Sequence, residues 1–78
     1  MALIRELVQI HKESNRVHET VDCGWTTFED NGSMYIQLDT YGSRGRQIPG
    51  KVSQSIQLDA SSAAALRRII DRTYPGST

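Results

Sequence analysis

The Asn31-Gly32 pair, set between two runs of alternating residues, constrains this chain more than any other feature. Both residues tolerate positive φ, as a two-residue hairpin turn requires. In the run before it, 17–28, Val17, Val21, Cys23 and Trp25 share one face. His18, Thr20, Asp22, Gly24, Thr26 and Phe28 share the other. The run after it, 33–41, sets Met34, Ile36 and Leu38 against Tyr35, Gln37, Asp39 and Tyr41. Period-two alternation rich in β-branched and aromatic residues predicts strands. Gly24, inside the first of them, marks a bulge, a bend or a close approach of backbone.

Downstream, the stretch GSRGRQIPG at 42–50 holds three glycines, a proline and two arginines, and so reads as a loop. It is long for a hairpin connection, and long loops in small domains are often functional. Residues 51–58, KVSQSIQL, resume a strand with Val52, Ile56 and Leu58 inward and Lys51, Ser53, Ser55 and Gln57 outward. Asp59 suits an N-cap, and a helix is expected over 60–73. Its stripe is Leu66, Ile69, Ile70 and Thr73 or Tyr74, helped by Ala63; Arg67, Arg68 and Arg72 lie largely off it. Pro75-Gly76 ends it.

Upstream, residues 3–12 are ambiguous. Leu3, Leu7 and Ile10 fit a helix, while Ile4, Val8 and Ile10 fit a strand that Glu6 interrupts. A run this short does not decide by periodicity. The turn-like ESNR that follows favours a strand, and a helix stays open. The expected fold is α+β: an antiparallel four-stranded β-meander, then one C-terminal amphipathic helix on one sheet face, in a single domain over 1–78.

Composition bounds the function. Nine Lys+Arg balance nine Asp+Glu, so bulk charge does not announce nucleic acid. One cysteine excludes an internal disulfide and a multi-cysteine zinc site, and fits a reducing cytoplasm. No apolar run approaches the roughly 20 residues that span a bilayer, so no membrane partner is expected. His11 and His18 lack metal-ligand spacing, and no nucleophile, phosphate-loop or dinucleotide motif is present. The chain is therefore read as neither enzyme nor cofactor protein, and Cys23 as a buried, inert thiol.

Binding is the remaining class. If one sheet face carries the helix, the other presents Thr20, Tyr35, Gln37, Tyr41, Ser53, Ser55 and Gln57, rimmed by Arg44, Arg46 and Lys51. Tyrosines stack on bases, hydroxyls and amides bond phosphates or base edges, and basic groups attract phosphate. From spacing alone, an ordinary solvated face is the plainer account.

The run YIQLDTY, a Gly/Pro loop, and PGKVSQSIQLD before a helix together resemble the positive-cofactor-four family of transcriptional coactivators and their bacterial and phage relatives. The resemblance covers about 17–74 and is best over 35–70. It implies a homodimer with helices packed together and curved sheets that bind single-stranded DNA with little sequence preference. The basic position after Pro-Gly corresponds to Lys51, the strand-end aromatic to Tyr41, and the loop basics to Arg44 and Arg46. Asp39 stands where the family often carries arginine, and Gly42 where a tryptophan often follows the tyrosine. The expected contact set is Tyr35, Tyr41, Arg44, Arg46, Lys51 and Ser53. A different class stays open: a small regulatory subunit that docks a protein partner through the open sheet face or an edge strand.

Overall fold

The computed structural model describes residues 1–42 and 51–76. It contains four strands, β1 (Ala2–Ile4), β2 (Cys23–Asp30), β3 (Ser33–Tyr41) and β4 (Val52–Leu58), and one helix, α1 (Ala60–Thr73). The α+β class and the C-terminal helix are as expected. The all-antiparallel meander is not. The sheet runs β1-β4-β3-β2, and β1 pairs with β4 in parallel.

The reason lies in rows of side chains across the sheet. Register places Trp25, Leu38, Ile56 and Ala2 in one row and Thr27, Ile36, Leu58 and Ile4 in the next. β1 thus extends the apolar face of β4, which pairing along the outer edge of β2, next to Glu29 and Asp30, does not offer. The strand expected over 3–12 reduces to three residues, and 5–22 has no regular element.

β2 likewise starts at Cys23, not at Val17. The Tyr41 N–H donates to the Asp22 carbonyl at 3.0 Å, and there β3 ends. Upstream alternation has no strand opposite it among the described residues. The turn itself is as the sequence implies: Asn31 and Gly32 have φ of 52° and 85°, and the two-residue loop pairs Asp30 with Ser33.

At the other end, Asp59 caps α1. Its Oδ1 accepts from the Ser62 N–H at 2.9 Å, while Ser62 Oγ accepts from the Asp59 N–H at 3.0 Å. This reciprocal pair satisfies two backbone donors. The Ser62 hydrogen bonds hold the Asp59 carboxyl below its ordinary value, the backbone bond contributing most. No described helix is long and apolar enough to cross a membrane.

The helix covers one end of the apolar face. Thr27, Met34, Ile36 and Leu58 lie beside Ala60 and Ala63, and Leu58 is the buried apolar residue of the described set, at 4% exposure. The next row stays open. Trp25 is 75% exposed, and Met34, Ile56, Ile69, Ile70 and Tyr74 are exposed too. The expected core is therefore correct as a face but not as an interior. Cys23, read as buried, is exposed at the edge strand. Val52 is corrected as well. A bulge between Thr40 and Tyr41 makes Val52 the partner of Tyr41 and leaves Ser53 without one, so Val52 drops out of the apolar rows.

The chain is expanded. Its radius of gyration is 14.8 Å, against about 11.5 Å for a compact domain of this length. Its accessible surface is 7237 Å², roughly 2,500 Å² above the value typical of a compact monomer of its mass.

Candidate nucleic-acid interface

Opposite the helix, the second sheet face is also built in rows, and the Asn31-Gly32 turn sets them. Pairing outward from a two-residue loop puts Phe28 opposite Tyr35, Thr26 opposite Gln37, and Gly24 opposite Asp39. β4 adds Gln57 beside Gln37 and Ser55 beside Asp39, and β1 adds Leu3 beside Gln57.

Aromatic groups stand at both ends of this face. Phe28 and Tyr35 stack with ring centroids 5.4 Å apart and planes 22° apart. At the far end the Tyr41 ring lies over Gly24. A Cβ on Gly24 would meet the Tyr41 hydroxyl at 2.9 Å and Cε2 at 3.4 Å. Of the three roles expected for Gly24, close approach is the one realised, by a side chain and not by backbone. Tyr41 stands six positions along the strand from Tyr35, or roughly 20 Å.

Between them runs a hydrogen-bonded ladder. Gln57 Nε2 donates to Gln37 Oε1 at 2.8 Å. Gln37 Nε2 donates to both oxygens of Asp39, at 3.1 and 3.2 Å. Ser55 Oγ also donates to Asp39 Oδ1. All four side chains are half-buried. Asp39, the acidic residue at odds with an anionic partner, spends its acceptor capacity inside the protein.

Of the expected contact residues, Tyr35 and Tyr41 lie on this face at opposite ends. Lys51 is exposed just before β4, and Ser53 is the exposed residue at the bulge. Arg44 and Arg46 lie outside the described residues. Two participants were not in the expected set. Phe28 was recoverable by counting outward from Asn31-Gly32. The ladder was not, because its partners sit on different strands. β2, β3 and β4 contain no lysine or arginine, and their charged side chains are Glu29, Asp30 and Asp39.

No family model matches the chain, and neither a curated protein nor a solved structure does.

Proposed function

We propose that this protein binds single-stranded nucleic acid on the sheet face opposite α1, as a dimer that covers its open apolar face with a second copy. The observation that supports this most is the pairing of two aromatic platforms, Phe28–Tyr35 and Tyr41, at either end of one open polar face. Bases stack on such platforms whatever their identity, at about 1–3 kcal/mol each. Lys51 supplies phosphate affinity just before β4, and Arg44 and Arg46, outside the described residues, add two further positive charges. Stacking and rim charge act on every base alike, so sequence preference is small. The positive-cofactor-four resemblance points the same way. The excess surface and the exposed Trp25 row favour the dimer, since a standard interface covers about 800 Å² per partner.

The test is fluorescence anisotropy with labelled single-stranded oligonucleotides at low and moderate salt. Three basic groups per protomer give an expected slope of log affinity on log salt of roughly −2 for one protomer and −4 for two. Tyr35→Ala and Tyr41→Ala each weaken binding by about 5- to 160-fold. Absence of binding at micromolar protein and low salt rejects the reading. The lack of basic residues within β2–β4 favours the alternative in that event, a regulatory subunit that docks a protein partner, detected by co-purification.

A further inference from the structure

β2 lies at one edge of the sheet, and its outer side is bare among the described residues. In an antiparallel pair, successive residues turn their backbone groups to opposite sides. Asp22 turns toward β3, where its carbonyl accepts from the Tyr41 N–H. Cys23, Trp25, Thr27 and Glu29 therefore turn their N–H and C=O groups outward, along the whole of β2. Edges of this kind are ordinarily blunted by lysine, proline or a bulge. Cys23–Asp30 holds no lysine or proline, and its register with β3 is unbroken. A second observation lies upstream. The alternation that leads into β2 begins at Val17, yet 17–22 has no regular element and is exposed throughout. That run has the period of a strand and nothing opposite it among the described residues.

We propose that two copies join by antiparallel pairing of 16–30 with the same segment of the partner, about a two-fold axis at Cys23. The inference rests on the dimer in the single-strand-binding reading and says how the second copy attaches. Such a contact has to be self-complementary. Centred on Cys23, it sets Arg16 opposite the partner's Asp30, Thr20 opposite the partner's Thr26, and Val21 opposite the partner's Trp25. Opposite charges, paired threonines and an aromatic beside a β-branched residue are favourable cross-strand neighbours, and like charges are not. A centre one residue earlier sets Asp22 against itself, and one residue later sets Glu19 against the partner's Glu29. A centre on Trp25 runs 17–19 into the partner's Asn31-Gly32 turn. With the centre on Cys23, the whole alternating run gains a ladder. The axis stands normal to the sheet, so both helices lie on one side and both polar faces on the other. Val21 reaches the partner's Trp25 from the side. The two Tyr41 rings, each over its own Gly24, flank the seam of one continuous polar face.

The test uses full-length chains and reads association by sedimentation equilibrium and native mass spectrometry. Arg16→Asp and Asp30→Arg are prepared as separate proteins. In either homodimer both Arg16–Asp30 pairs become like-charge pairs, so each is expected to associate more weakly, on the order of tenfold. Mixed together, the two variants form opposite-charge pairs at both positions. The mixture should recover the affinity of the unsubstituted chain and yield heterodimer above the statistical share. Thr27→Pro is the second variant. Thr27 turns its N–H outward, where an edge strand tolerates proline, so the circular dichroism of the fold should persist while the dimer is lost. A statistical mixture of the charge variants, or a folded Thr27→Pro that remains a dimer, overturns the strand seam and leaves the dimer reading standing. If Thr27→Pro does not fold, the charge variants alone decide. An unsubstituted chain that stays monomeric overturns both the seam and the dimer.

Discussion

Trp25→Ala separates a face that belongs inside an assembly from one that belongs in water. In the single chain Trp25 is 75% exposed. Removing a side chain already in water changes the stability of an isolated fold by about 0.5 kcal/mol or less. Covered by a second copy, the same residue loses up to about 150 Å² from water, worth roughly 4 kcal/mol at 25 cal/mol per Å². Taking half of that for incomplete coverage, and counting the residue twice by symmetry, gives about 4 kcal/mol, or roughly a thousandfold weaker dimer. Sedimentation equilibrium across a wide concentration range reads this directly, since the protomer is 8.7 kDa. The unsubstituted chain is expected near twice that mass at micromolar concentration, with Trp25→Ala displaced toward the monomer. Trp25 is also the one tryptophan, so its emission should shift to the blue as the protein is concentrated. An 8.7 kDa species at the highest concentration reached, or mass curves that superimpose for the two proteins, would refute the reasoning.

Two further outcomes follow from local geometry. Gly24→Ala puts a methyl group 2.9 Å from the Tyr41 hydroxyl, too close for both to stay in place; the ring end is free to swing, so thermal stability should change little while oligonucleotide affinity falls, and unaltered affinity contradicts the placement of Tyr41. Asp59 has its folded-state pKa held below the ordinary 3.8, so its cap contributes fully above that value and is lost as pH falls through the folded one. Asp59→Asn keeps a capping oxygen but should flatten the acid limb of a Tm–pH curve, and an acid limb identical to that of the unsubstituted protein would show that the cap does not carry it.

Local chemistry made part of this fold legible. Asn31-Gly32 announced its turn because few other pairs sit at positive φ in both positions, and Asp59 announced the helix because a carboxylate there has one obvious task. β1 was not legible. Its partner lies more than fifty residues away, and three residues carry no period of their own. Alternation also sorted Trp25 and Cys23 onto the right face but could not say how far along that face a fourteen-residue helix reaches. The interface divides the same way. Tyr35 and Tyr41 stood out as aromatics among polar residues. The bonding of Asp39 was not legible, because Ser55 and Gln37, which donate to its oxygens, become its neighbours only when three strands align.

The parallel contact of β1 with β4 has a consequence for how the chain comes into being. The β2–β3 hairpin closes on itself as soon as both strands exist. β1 has to wait until Ile56–Leu58 has been made. At typical elongation rates of about 5–20 residues per second, that leaves Ala2–Ile4 unpaired for roughly three to ten seconds. For the last part of that interval, the roughly one to three seconds between Tyr41 and Leu58, β3 has a bare edge on the side where β4 will lie, and its apolar face has no helix above it. Any early meeting with a second copy would take place while that face is at its most open.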